Sequence, residues 1–152
     1  FMHIPAADIP QVDVAGVTVR IIIGTAYGKQ SPVPICSPML YLELHMPQHS
    51  VIDLPDNYRE LAAYVVAGEV AIDDCNYADA TLAVACSGKK VRIHANQSSH
   101  VMIIGGDPVG HRHIWWNFVA TSRERIEQAK LDWRAQKFGS VPDDDEFIPL
   151  PE

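Results

Sequence analysis

Seven histidines are the residues best equipped for chemistry in this chain, because imidazole both ligates divalent metals and exchanges a proton near neutral pH. His111 and His113 stand at H-x-H spacing. On a strand, residues two apart share a face, so such a pair can offer two ligands to one ion. The pair follows Pro108 and Gly110, however, and no Asp, Glu or Cys lies close by in sequence as a third ligand. H-x-H spacing alone recurs by coincidence, and packing or hydrogen bonding of His113 beside Trp115 is the plainer reading. His45 and His49 lie four apart, but Pro47 rules out the helix that would bring them together. His3, His94 and His100 are scattered, with surface or turn roles as the default.

Nucleophiles are no better supported. The chain has no G-x-S-x-G segment. Its three cysteines, Cys36, Cys75 and Cys86, are widely spaced and form no C-x-x-C pair. They read as small buried or semi-buried thiols in a reducing cytoplasm. Gly105-Gly106 lacks the lysine and further glycines of a phosphate loop, so it reads as a turn. Trp115 and Trp116 are adjacent; on a single strand they would face opposite ways, one into the core and one toward a partner or pocket.

The elements that must position these residues follow from patterning. At 152 residues, with 47% hydrophobic and 20% charged residues, the chain can build one full core. The first segment, residues 1–16, carries Pro5 and Pro10 and reads as an extended arm. Val17–Ile23 is β-branched and fits one strand. In Met39–Met46 the leucines alternate with Tyr41, Glu43 and His45, which buries one face and leaves the other wetter. Leu61–Ala67 and Glu69–Ile72 flank Gly68 as a tight strand pair, and Thr81–Ala85 and Val91–Ile93 flank Ser87-Gly88 as another. His100–Ile104 and His113–Val119 complete the strands. A helical period then takes over: Thr121 with Glu124 has capping-box spacing, and Ile126, Ala129 and Trp133 make an apolar stripe over Ser122–Lys137. Gly139 is the candidate C-cap. The tail carries an acidic run, Asp143 to Glu146, before an apolar segment from Phe147 to Leu150. Many short strands with one terminal helix predict an all-β sandwich or jelly roll.

A formal net charge of −7 argues against tracking phosphates. The densest basic stretch, Arg123 to Lys137, is interleaved with Glu124, Glu127 and Asp132, so direct nucleic-acid binding is not expected. No apolar run reaches the length of a membrane span, and FMHIPAADIP has neither the basic nor the apolar region of a signal peptide. A cytoplasmic location is expected. Phe1 ahead of Met2 suggests a piece of something longer.

The last third of the sequence narrows the field. Gly105-Gly106-Asp107-Pro108-Val109, Arg112-His113-Ile114-Trp115-Trp116-Asn117-Phe118-Val119 and Arg125-Ile126-Glu127-Gln128-Ala129-Lys130 together resemble the C-terminal signature of the pirin family. Ser31-Pro32-Val33, Ser37-Pro38-Met39-Leu40-Tyr41-Leu42, Ala63 to Glu69 and the end Glu146 to Glu152 fall in the matching order. Pirins are two-cupin proteins, and the resemblance covers only the second half. It implies a cupin-like double-stranded β-helix, or jelly roll, over residues 17–119, with a C-terminal helix and tail at 120–152 packed on the same domain.

In that family the N-terminal half holds iron or another divalent metal and is linked to a quercetin 2,3-dioxygenase-like activity. Its ligands come from an H-x-H pattern and a later H-x-E. Laid on this chain by its hairpin apex, Tyr64 to Gly68, and by the next turn at Gly88, that pattern falls on Leu54, Asp56, Ile93 and Ala95, with Glu60 at a following glutamate. Three of these positions cannot bind, and a lone aspartate does not hold a metal. The resemblance therefore implies a metal-free C-terminal cupin without cofactor, metal ligands or identifiable catalytic residues, and not an enzyme on its own. Iron or another divalent metal is expected only in the N-terminal half. The expected partner is that half, or a second copy of the chain through the helix and tail. Two alternatives are a protein-binding module in transcriptional co-regulation, and an independent metalloenzyme using His111 and His113.

Overall fold

The computed structural model describes residues 2–139, 143 and 146–151; of the acidic run read in the tail, Asp144 and Asp145 lie outside the described residues. After a short 3-10 turn at Ala6–Asp8, the strands are β1 (Gln11–Val14), β2 (Val17–Ile23), β3 (Thr25–Ala26), β4 (Lys29–Gln30), β5 (Met39–Met46), β6 (Val51–Asp53), β7 (Glu60–Ala67), β8 (Glu69–Ile72), β9 (Cys75–Ala78), β10 (Thr81–Val84), β11 (Arg92–Ala95), β12 (Ser99–Gly106), β13 (His113–Trp115) and β14 (Phe118–Ala120), followed by helix α1 (Arg123–Arg134). Mostly strands with one helix, the fold is the all-β type expected. No helix among the described residues is long and apolar enough to cross a membrane. The chain forms two compact units, Phe1–Pro108 and Val109–Glu152, so the β13–β14 hairpin goes with the helix, and the second unit starts at Val109 rather than at residue 120.

The first unit is two sheets around one core. A six-stranded sheet runs β1-β2-β5-β12-β7-β10 and a four-stranded sheet β6-β11-β8-β9. Period-two alternation explains which side chains fill the space between them. Val17, Val19 and Ile21 of β2, Leu40, Leu42, Leu44 and Met46 of β5, Leu61, Ala63 and Val65 of β7, and Val101 and Ile103 of β12 are buried, as are Ile52, Val70, Ile72, Ile93 and Ala95 from the smaller sheet. The alternation read at Met39–Met46 therefore holds residue for residue.

Several local expectations are corrected. Residues 11–14 are not arm but strand β1, paired antiparallel with β2; the turn residues Ala15 and Gly16 both take positive φ, and the Gly16 N–H donates to Asp13 Oδ1 at 3.0 Å. The two strand pairs expected across Gly68 and Ser87-Gly88 do not exist. β7 and β10 lie in the larger sheet and β8 and β11 in the smaller, so at both turns the chain crosses between layers, as a jelly-roll corner must. At Gly68 (φ +91°) a Cβ would sit 2.6 Å from the Ser98 carbonyl oxygen and 2.5 Å from Ser99 Oγ, so that corner has no room for a side chain. β12 also runs on through Gly105 and Gly106, paired with both β5 and β7, rather than turning there.

In the second unit, His113–Val119 is not one strand but a hairpin, with Trp115 opposite Phe118 and Trp116 turned back at φ 50°. The two tryptophans therefore do not face opposite ways across a strand: their rings lie 6.4 Å apart. The helix begins one residue later than its capping-box spacing suggested. Ser122 is the N-cap, extended at φ −141° and ψ 159°, and its hydroxyl accepts from the Arg125 N–H at 3.4 Å. It also ends early. The Lys137 N–H reaches back to the Asp132 carbonyl and Gln136 N–H to that of Trp133, both at 2.9 Å, which is a Schellman closure with Gln136 (φ 52°) in the left-handed position. Gln136, not Gly139, occupies the strained site. Gln136→Gly is accordingly expected to stabilise the second unit by about 0.5–1 kcal/mol, read as a small rise in its melting temperature.

Candidate functional site

Three of the positions on which the family pattern falls carry apolar side chains. Leu54, Ile93 and Ala95 are buried in the apolar core. Asp56 and Glu60 are exposed. Asp56 faces outward instead, with its carboxylate 3.9 Å from Lys90 Nζ, on the edge of a cleft of about 670 Å³ shared with Tyr27, Asp53 and Arg92. In that cleft Arg92 grips both oxygens of Asp53 at 2.7 and 2.9 Å and holds its carboxyl below the usual range. The Tyr27 hydroxyl donates to the Asp53 carbonyl at 2.8 Å, and burial, then the Asp53 charge, pushes its pKa up. A pocket of about 150 Å³ opens beside Leu54, lined by apolar residues such as Leu61, Ile72 and Val91 and also by Asp73, Cys75 and Cys86. That lining has no imidazole and a single carboxylate, Asp73, which is not the imidazole-and-carboxylate donor set of the family pattern.

The histidines divide differently from the sequence reading. His111 and His113 do come together, edge to face with centroids 4.7 Å apart. Among the described residues, however, they belong to no group of three metal-capable side chains. His94 Nδ1 lies 3.1 Å from Asn96 Oδ1, and the Asn96 amide donates to Glu69 Oε1 at 2.8 Å and Asn76 Oδ1 at 3.0 Å, a polar network on the smaller sheet. His100 is not scattered at all. On the outer face of the larger sheet it lies directly opposite His45 in the β5–β12 register, and both rings approach Glu43. Glu43, His45 and His100 have their donor atoms within 4.8 Å of one another.

This cluster could have been half-found from sequence. The alternation of β5 already sets Glu43 and His45 on one wetter face. What the sequence could not supply is the strand register that brings His100 across from β12, and Arg20 across from Glu43 on β2.

Residues 41–139 match the family model of the Pirin C-terminal cupin domain. The chain belongs to the pirin family. It is 43% identical over 152 residues to a pirin-like protein of Caulobacter vibrioides, covering 99% of this chain and 52% of that protein, and 31% identical to pirin of Homo sapiens, covering 91% and 51%. A Pseudomonas aeruginosa protein provisionally named as a quercetin 2,3-dioxygenase is 29% identical over 136 residues, covering 88% and 42%. In fold, the chain is similar to the crystal structure of quercetin 2,3-dioxygenase from Acinetobacter baumannii, with a TM-score of 0.82 at 24% identity over 95% of this chain and 50% of that one. The chain thus spans about half the length of the pirin relatives it matches, and its match is to their C-terminal cupin domain.

Proposed function

We propose that this chain is the structural cupin of a two-cupin pirin: a barrel without iron in its interior that packs against a metal-bearing N-terminal cupin, where the quercetin 2,3-dioxygenase-like chemistry of the family resides. The observation that carries this is the apolar filling of the barrel at Leu54, Ile93 and Ala95, with Asp56 turned out to Lys90. Dioxygenation of a flavonol requires a redox metal to engage oxygen, and these side chains offer it no donor set.

The outer face of the larger sheet supports the partner role. Tyr64 and Val66 of β7, Leu82 and Val84 of β10 and Ile104 of β12 are between 38 and 75% exposed. The strand register sets them side by side, Leu82 against Tyr64 and Ala62 between Val84 and Ile104. A monomer rarely leaves a contiguous apolar face of this kind in water. The occupant we assign is the other cupin half, because the chain accounts for only half the length of its relatives. This moves the expected contact from the helix and tail to the sheet.

The test supplies the half of the Caulobacter vibrioides relative that this chain does not cover. Sedimentation is expected to show a one-to-one complex, weakened at least about tenfold by Leu82→Glu or Ile104→Glu, since a charge buried in an apolar interface is costly. A chain that stays monomeric and does not bind that half, or that binds it equally well with either glutamate in place, would sink the assignment.

A further inference from the structure

We propose that Glu43, His45 and His100 form a binding site for a divalent transition metal of the zinc class, on the outside of the barrel and separate from its interior. The strand register builds it. His45 and His100 are cross-strand partners on β5 and β12, and Glu43 lies two residues before His45 on the same face. The imidazole rings are stacked, 4.5 Å apart and 16° from parallel, so one ring must turn for both lone pairs to meet a single ion, and His45, with its side chain 56% exposed, has the room to do so. Their Nε2 atoms lie 3.4 Å (His45) and 3.1 Å (His100) from one and the same oxygen, Glu43 Oε1. A tetrahedral ion with bonds of about 2.0–2.1 Å keeps its donors about 3.4 Å apart. Both separations are close to that spacing, and all three donors lie within 4.8 Å of one another.

A neighbouring side chain orients the carboxylate. Arg20 Nη1 donates to Glu43 Oε2 at 2.8 Å, which holds that oxygen and leaves Oε1 turned to the two rings. Outer-shell partners of this kind fix ligand orientation. Arg20 also caps the attraction, because cation and guanidinium would share one carboxylate. The Glu43 side chain is only 17% exposed and that of His100 30%, so ordering these two ligands costs little further entropy. Two imidazoles and one carboxylate select zinc, cobalt or a similar ion over calcium and magnesium, which prefer all-oxygen sites. Arg20 and Glu43 also line a groove of about 660 Å³ with Ile22 and Pro34. The expectation of a metal-free chain is thereby narrowed to the barrel interior.

The test titrates the purified chain with cobalt, followed by zinc, by equilibrium dialysis and visible absorption. Cys36, Cys75 and Cys86 are all exposed rather than buried or semi-buried as their sequence context suggested, and they are alkylated first, because thiolates compete for both ions. About one cobalt per chain is expected, with the visible ligand-field band of a tetrahedral site that zinc abolishes. Since altering an outer-shell partner alone costs 10–100-fold, His45→Ala and Glu43→Gln are each expected to weaken binding by about 100-fold or more. His45 is the safest site to truncate because its side chain is 56% exposed; unchanged circular dichroism checks that both variants fold. The double variant His111→Ala/His113→Ala should bind as the wild type does. Absence of saturable cobalt binding would overturn the site, as would binding that survives both His45→Ala and Glu43→Gln, or that is lost with His111 and His113.

Discussion

Gly24→Ala is expected to cost about 3–5 kcal/mol, a large part of the 5–15 kcal/mol that holds a typical domain folded. A Cβ at residue 24 would lie 2.0 Å from the Met39 carbonyl oxygen and 2.9 Å from Tyr58 Oη. Neither obstacle yields easily. Met39 opens β5, the strand that links β2 to β12. The Tyr58 hydroxyl donates to the Thr25 carbonyl and accepts from the Thr25 N–H, both at 3.1 Å. Residue 24 also sits at φ +88°, where an L side chain is strained by about 1–2 kcal/mol before any clash. Gly28→Ala isolates that smaller effect, because its φ is +73° with nothing within 4 Å of the added carbon. Urea melts of the two variants should differ by several-fold in lost stability; similar losses would show that the contact at Met39 is not what makes residue 24 a glycine.

Trp133→Ala is the second large effect. The indole lies within 5.1–6.1 Å, centroid to centroid, of Trp116, Phe118, Phe138 and Phe147. Its Nε1–H donates to the Ile148 carbonyl at 2.8 Å. It is therefore the hub of the second unit's own packing, tying helix, hairpin and tail together. Truncation is expected to cost about 3 kcal/mol, the low end for a buried tryptophan because this one is half-buried. Near-ultraviolet circular dichroism should lose much of its aromatic signal, while association with the other cupin half persists. A mutant that keeps its melting temperature but loses association would return the interface to the helix.

The sequence was most legible where one period ruled. β2, β5 and β8 have the bounds their alternation or β-branching implied, because a face buried on one side fixes every second residue. It was least legible at corners. Gly68 looks like a hairpin from its neighbours alone, yet only the competing pairings of β12 with β7 and β11 with β8 decide that the chain changes sheets there. The same limit hid one of the three candidate ligands: Glu43 and His45 are local, whereas His100 joins them through a register spanning 57 residues. The burial of Leu54, Ile93 and Ala95, by contrast, was readable in advance, because aliphatic side chains on or beside strands that border a core turn into it.

Oxygen uptake with quercetin, measured on the isolated chain after anaerobic loading with ferrous iron, tests the structural-half assignment most directly. Wild type and His45→Ala should both consume oxygen no faster than buffer containing the same iron, and activity should appear only when the metal-bearing half is added. Iron-dependent uptake by this chain alone that persists in His45→Ala would place a working metal elsewhere in this chain and contradict the assignment.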